Sequence, residues 1–283
     1  MTVPPERDAY GAMMLAALDG DANVSEIVER EDGFIQANAA GPPSYFAPFR
    51  RWPAHHRQAM RLVRGRVLDV GAGAGRVSLY LQQRGHEVVA IDNSPGAIEV
   101  CRRRGVRDTR LIDFADVDES LGTFDTVVLL GNNFGVFGSP TQAKRLLRRL
   151  RRLTSDRARI VAESRDVSSR GPADAQWHAE YRQRNVERGR LPGQIRIRIR
   201  FRRIVGPWFD YPMVSPTGLE KILDGTGWRL ARTIDSDDTY VAVIEKAARA
   251  RAARSARRAT AGGATSPSSG RRPRRSARAS SRA

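Results

Sequence analysis

The stretch Val67-Leu68-Asp69-Val70-Gly71-Ala72-Gly73-Ala74-Gly75-Arg76 decides the fold. A β-branched apolar run breaks into three alternating glycines and then into a helical pattern with Val77, Tyr80 and Leu81 on one face, which is a strand, a tight turn and a helix start. Such a turn brings backbone N–H groups close to a ligand. A side chain at the glycines would hold that ligand off, and some of these positions call for positive φ. About twenty residues on, the apolar run Val88-Val89-Ala90-Ile91 ends in Asp92, an acid at the tip of the neighbouring strand and placed to accept the two hydroxyls of a ribose. Together the two elements predict a pocket for an adenosine-containing ligand.

Neighbouring residues narrow the ligand. A phosphate-cradling P-loop ends in Gly-Lys-Ser/Thr, whereas Arg76-Val77-Ser78 follows here, which argues against nucleotide hydrolysis. A dinucleotide fold wants Gly-x-Gly-x-x-Gly, whereas this loop is Gly71-x-Gly73-x-Gly75 with Asp69 two residues before it. The chain resembles the class I S-adenosylmethionine-dependent methyltransferases, whose first motif is Asp/Glu-x-Gly-x-Gly-x-Gly. The resemblance spans residues 64 to 164, and more loosely 215 to 246. It implies a Rossmann-like, doubly wound, mostly parallel seven-stranded sheet with an antiparallel last strand, and S-adenosyl-L-methionine as cofactor. In that family the acid matching Asp69 orients the cofactor's amino-acid end, the loop Gly71, Ala72, Gly73 and Gly75 passes beneath it, and the acid matching Asp92, beside Asn93, binds the ribose.

Composition bounds the rest. The chain of 283 residues is long enough for one α/β domain with additions. Its single cysteine, Cys101, excludes an internal disulfide framework and a cysteine-rich metal site, and no metal is expected. No apolar run reaches the roughly 18 residues of a membrane span, and no basic-then-apolar leader opens the chain, so a cytoplasmic protein is expected. The net charge of +18 is unevenly placed: residues 247–283 hold eleven arginines and no acid, leaving +7 for the rest. That tail of Ala, Arg, Ser, Gly and Pro has no large apolar side chain and is expected to be disordered. It reads either as a weak, non-specific polyanion-binding arm or as a solvated extension, since arginines without interleaved aromatics attract phosphate but cannot stack bases.

Five segments follow. Residues 1–64 are expected to be a helical extension or lid, with helices over 10–18, 24–30 and 54–63; Tyr45 and Trp52, in its aromatic and proline-rich loop, are candidate substrate contacts. The adjacent His55 and His56 are expected to point apart and to make a poor metal pair. Residues 65–164 form the cofactor-binding core, with strands near 66–70, 87–91, 109–112, 124–130 and 158–163 alternating with helices, the pattern of a parallel doubly wound sheet. Residues 165–214 form a β-containing insertion after the fifth strand, read as a substrate cap. Residues 215–246 add a helix and the last two strands, and 247–283 are the tail. Ser94-Pro95, Ser139-Pro140 and Ser215-Pro216 each predict a capped helix start.

Ligands of open parallel sheets lie beyond the carboxyl ends of the strands. After the third strand stand Asp113 and Phe114, matched in the family to an adenine contact, although an acid here equally suits a cap for the next turn. After the fourth stand Gly131, Asn132, Asn133 and Phe134, where the transferable methyl is expected to point: Gly131 and Asn132 toward the cofactor, Asn133 and Phe134 toward the acceptor. No proline follows these asparagines, unlike the base-methylating motif Asn/Asp-Pro-Pro-Tyr/Phe, and Cys101 is too far along the chain to be a cytosine C5 nucleophile. In the insertion, Gln194 to Arg202 alternates apolar residues with arginines at period two, a strand with one buried face. His178, Tyr181 and Trp208 flank it. His178 is the candidate general base, Tyr181 and Trp208 candidate acceptor contacts. The reading that follows is methyl transfer from S-adenosylmethionine to a small-molecule acceptor; the alternative is an RNA or protein methyltransferase recruited by the tail.

Overall fold

The computed structural model describes residues 1–38, 41–167 and 175–247; the tail from 248 onward, and the disorder expected of it, lie outside the described residues. α1 (Ala9–Leu18) leads to a hairpin of β1 (Glu26–Arg30) and β2 (Ile35–Asn38), then α2 (Gly41–Tyr45) and α3 (Ala54–Met60). β3 (Val67–Val70), α4 (Arg76–Gln83), β4 (Val88–Asp92), α5 (Pro95–Arg103), β5 (Asp108–Leu111), β6 (Phe124–Leu129), α6 (Pro140–Arg152) and β7 (Thr154–Arg165) follow in strict alternation but for the loop after β5. α7 (Ala175–Glu187), β8 (Gln194–Phe201), β9 (Ile204–Val205) and β10 (Phe209–Pro212) make the insertion, and α8 (Pro216–Leu223), β11 (Trp228–Ser236) and β12 (Thr239–Lys246) close the chain.

Among the described residues the strands form two sheets. The larger has seven strands in the order β11-β12-β7-β6-β3-β4-β5. β3 pairs parallel with β4 and β6, and β6 with β7, whereas β12 runs antiparallel between β7 and β11. This is the Rossmann-like, mostly parallel sheet with a reversed last strand. Both faces are covered, so its central strands are apolar throughout: every residue of β3 and β4 is buried. One face carries Phe124, Phe134, Phe137, Leu146, Leu147 and Leu150; the other carries Trp52, Met60, Val77, Leu81 and Ile234. Each of the three expected Ser-Pro starts is capped, the Ser94, Ser139 and Ser215 hydroxyls accepting from the backbone N–H of Ala97, Gln142 and Gly218. Each such cap is worth about 1 kcal/mol.

The second sheet corrects the reading of residues 24–30 as a helix, and with it the description of 1–64 as purely helical. β1 and β2 form a hairpin over Gly33, at φ 87°, and β1 pairs antiparallel with β8, giving the order β10-β8-β1-β2 with β9 beside β8. Ile27 and Val28 favour extended backbone, and Asp32-Gly33 supplies the turn. The deciding partner, β8, lies about 170 residues away, beyond reach of a local pattern. In the β1–β8 register Val28 and Arg30 share a face with Ile197 and Ile199, while Glu29 shares the other with Arg198 and Arg200. The arginine row is therefore on the outer face, where Arg198 and Arg200 both donate to Glu29.

α1 joins the two sheets. The buried Asp8 carboxylate accepts from its own helix at Gly11 N–H (2.9 Å) and from the Ser94 hydroxyl and Gly96 N–H (both 2.8 Å) at the start of α5. The backbones touch there: a Cβ on Gly96 would lie 2.6 Å from Gly11. On its other side α1 packs Met13 and Met14 against Phe201 and Ile199 of β8. The inner face of the second sheet is thereby seated over the carboxyl ends of the first. No helix among the described residues is long and apolar enough to cross a membrane.

Candidate functional site

The glycine turn is built as the sequence requires. Gly71, Gly73 and Gly75 all have positive φ (68°, 55° and 71°). The Gly71 and Ala72 N–H groups donate to the Ile91 carbonyl at 2.9 and 3.1 Å, which ties the turn to β4. All three are closed in by side chains: a Cβ at Gly71, Gly73 or Gly75 would lie 2.6 Å from the Asn133 amide, 2.9 Å from the Tyr10 hydroxyl or 2.7 Å from Val106. Cys101 donates its thiol to the Gly73 carbonyl at 3.2 Å, a buried structural contact.

Two buried acids flank the turn. Asp92 accepts from Gly73 N–H and Ser94 N–H, both at 3.0 Å, one on each carboxylate oxygen. Asp69 accepts from the Ser78 hydroxyl at 2.6 Å. Burial raises each carboxyl from its ordinary range to about 6, because so few donors replace the water that an ionised carboxylate loses. Asn93 is exposed, and its amide reaches Asp113 at 3.4 Å.

Beyond β6, Gly131 and Asn132 donate their N–H groups to one oxygen of Glu163, at 2.6 and 2.7 Å. Its other oxygen accepts from His55 and His56 Nε2 at 3.0 and 2.8 Å. The two histidines therefore converge, contrary to the expectation that they point apart. These four donors hold the Glu163 carboxyl well below the usual range, overcoming its desolvation. In His56 burial outweighs the pull of that carboxylate and lowers the ring's pKa. The neutral ring then donates from Nε2 and offers Nδ1 to the Arg76 guanidinium, 3.3 Å away. Arg76 also stacks over Trp52, 4.9 Å from its ring centre. Two acceptors in this cluster are buried without a hydrogen-bond partner, Asn132 Oδ1 and His55 Nδ1.

Opposite lies the cap. The Tyr211 hydroxyl reaches the Gly131 carbonyl at 3.4 Å, and its phenol is pushed up by burial and by the charges of Glu26 and Glu163. Tyr45 donates toward both oxygens of Glu26 at 3.0 Å and meets Tyr10 edge to face at 6.0 Å. Burial raises the Glu26 carboxyl above its ordinary value despite that hydrogen bond. Tyr10, Tyr45 and Tyr211 thus lie near enough to Asp92, Arg76 and Glu163, and to Glu26, for those charges to act on their phenols.

Several expected contacts lie elsewhere. His178, in α7, bonds Arg30 at 2.9 Å and meets the Phe34 ring; Arg30 is itself held by Asp32, so His178 stands away from the glycine turn. Tyr181 donates to Glu31 and carries Arg30 over its ring at 4.1 Å. Trp208 lies under Arg198 of the outer-face row. Phe134 is wholly buried among Phe137 and the α6 leucines, and Trp52 is a core residue whose indole donates to the Ala47 carbonyl. Asn133 Nδ2 donates to the Val70 and Gly71 carbonyls, fixing the turn. Asp113 caps the next turn through Ala115 N–H, and the buried Phe114 ring packs on Phe137 at 5.0 Å. Sequence reasoning missed Tyr10, Glu26, Arg76 and Glu163. Glu163 alone had a readable signal, an acid near the carboxyl end of a strand.

Residues 67–157 match the sequence model of the family described as "Methyltransferase domain". A 2-heptyl-1-hydroxyquinolin-4(1H)-one methyltransferase of Mycobacteroides abscessus is 36% identical over 73 residues, 23% of this chain and 32% of that protein; the match thus spans about a third of that relative. The crystal structure of a SAM-dependent methyltransferase from Bacteroides fragilis in complex with S-adenosyl-L-homocysteine is similar over 88% of this chain and 98% of its own, with 26% identity and a TM-score of 0.73. The CcbJ methyltransferase of Streptomyces caelestis shares the fold at 15% identity and a TM-score of 0.53, over 72% of this chain and 98% of its own.

Proposed function

Because the chain belongs to the class I S-adenosylmethionine-dependent methyltransferase family, we propose that it transfers a methyl group to a small-molecule acceptor enclosed between its two sheets. S-adenosylmethionine is the cofactor, and the residues present fit it. Gly71, Gly73 and Gly75 hold the positive φ of the turn, and the Tyr10 hydroxyl lies where a Cβ on Gly73 would point. Asp92 keeps two of its roughly four lone-pair sites for a ribose diol after binding Gly73 and Ser94. The orphaned Asn132 Oδ1 suits an ammonium donor. Asp69, Gly71, Ala72, Asn93 and Gly131 complete the proposed cofactor wall.

The observation that carries the small-molecule reading is enclosure. Tyr10 stands over Gly73 and Tyr211 over Gly131, so the carboxyl end of the sheet opens onto a capped space and not onto a broad face suited to a macromolecule. The relative named as a 2-heptyl-1-hydroxyquinolin-4(1H)-one methyltransferase, matched over about a third of its length, supports the same substrate class.

The cofactor supplies an electrophilic methyl on a sulfonium; the protein positions and excludes water. Glu163 holds Gly131 and Asn132 rigidly where the methyl is delivered. Glu26, made more basic by burial and hydrogen-bonded to Tyr45, is the proposed group that takes the acceptor's proton on the cap side, in place of His178. The test is calorimetric titration with S-adenosylhomocysteine, followed by transfer of isotopically labelled methyl to a small-metabolite extract, to RNA and to protein. Label entering small molecules supports this reading. Label entering only RNA or protein, and lost on truncation at Ala247, supports recruitment by the tail instead.

A further inference from the structure

Resting on that methyltransferase reading, we propose that the acceptor is a hydrophobic anion, a carboxylate on an apolar body, whose charged end sits in a recess between the cap sheet, α7 and the end of β7. The recess has a volume of about 90 Å³, room for a carboxyl group and the carbon that bears it. Val28, Ile195, Ile197 and Met213 give it an apolar wall. Arg30, Arg165 and Arg182 also line it, with no carboxylate among the described lining residues.

The three guanidiniums are not equivalent. Arg30 is neutralised, with Nε and Nη2 on the two oxygens of Asp32 at 2.8 and 2.9 Å, and clamped between the rings of Phe34 and Tyr181. Arg165 has a buried Nε without a hydrogen-bond partner; its nearest acid, Asp238, is 3.5 Å away, within ion-pair range but not bonded. Arg182 makes no ion pair or hydrogen bond among the described residues. Arg165, ion-paired with Asp238 but with Nε not hydrogen-bonded, and Arg182, without an ion pair among the described residues, therefore line a partly apolar recess. A planar guanidinium matches a carboxylate in a two-point contact, and an anion entering the recess would meet both side chains.

Position ties the recess to the reaction centre. Arg165 follows Glu163 by two residues, so both side chains leave the same face of β7 about 7 Å apart. Tyr211 and Met213 bear the same relation at the end of β10, one over Gly131 and the other in the recess wall. An acceptor held by its carboxylate in the recess would lay its body along this line, toward Gly131, Asn132 and the Glu26–Tyr45 pair.

The experiment is calorimetric titration of the full chain, saturated with S-adenosylhomocysteine, with 4-hydroxybenzoate and octanoate and with the two corresponding amides. At least one carboxylate is expected to bind about tenfold or more tightly than its amide, the factor that one charge-assisted hydrogen bond supplies. The double variant Arg165→Met/Arg182→Met is expected to erase that preference while keeping its affinity for S-adenosylhomocysteine, and Arg165→Lys/Arg182→Lys to restore part of it. Equal binding of acids and amides, no saturable carboxylate binding at millimolar concentration, or a preference that survives in the methionine variant would overturn the proposal. Failure of S-adenosylhomocysteine to bind the wild type would instead remove the reading beneath it.

Discussion

Replacing Asp92 with alanine is expected to weaken S-adenosylhomocysteine binding by about 10² to 10⁴, and the size follows from the carboxylate's bonding. One oxygen accepts from Gly73 N–H and the other from Ser94 N–H, leaving one lone pair on each for the two ribose hydroxyls. Hydrogen bonds to a charged acceptor contribute about 1.5–3 kcal/mol each, and tenfold in affinity is 1.4 kcal/mol. The same carboxylate links binding to pH. Burial raises it to about 6 in the free protein, and a neutral carboxyl turns one of those acceptors into a donor, so the ionised form is the one that binds. Affinity should therefore be flat above pH 7 and fall by about tenfold per pH unit below 6, to roughly one tenth at pH 5. Binding near pH 6 should release a proton. Calorimetric titration from pH 5 to 8, in two buffers of different ionisation enthalpy, measures affinity and proton release together. Affinity independent of pH, or an Asp92→Ala variant within threefold of wild type, would show that Asp92 does not hold the ribose.

Glu163→Gln should lower stability by about 3–5 kcal/mol, since an amide in place of a buried carboxylate turns a donor on one of two donor pairs; at about 2–4 °C per kcal/mol the melting temperature falls by roughly 6–20 °C. Because the folded pKa of Glu163 is depressed, its contribution is present above the unfolded value of about 4.3 and is lost as pH falls through the folded one. The thermal gap between the two proteins should hold from pH 6 to 8 and narrow only in strong acid; a gap that closes already at pH 6 would contradict the assignment. Gly73→Ala meets both a positive φ and the Tyr10 hydroxyl at 2.9 Å and should cost about 1–2 kcal/mol in strain, with more than tenfold lost in cofactor affinity; wild-type affinity would mean that the turn does not cradle the cofactor. Truncation after Ala247, where the compact unit ends, should leave melting temperature and S-adenosylhomocysteine affinity unchanged, and a drop in either would assign the tail a structural role.

Local chemistry in the sequence was enough for the core. The strand, the glycine turn and the Ser-Pro caps each depend on residues within a few positions of one another, so the α/β alternation could be read directly, and the motif's resemblance to a known family supplied the cofactor. Asp92 was singled out because the topology rule places ligands at the carboxyl ends of parallel strands, and Asp69 because the family motif carries an acid there. What the tertiary structure alone decided was everything that depends on distant pairing. The hairpin of residues 26–38 is a strand pair because β8, about 170 residues later, completes its sheet. That pairing turns Arg30 inward and sends Arg198 and Arg200 outward, where both donate to Glu29. His55 and His56 looked like an unremarkable pair until Glu163, more than a hundred residues on, drew both rings to one oxygen. His178, the lone histidine of the insertion, was conspicuous by residue type but is spent on Arg30. Residue type and spacing report what a segment can do nearby; which carboxylate meets which proton across the cleft is set by packing, where desolvation and a few long-range hydrogen bonds decide.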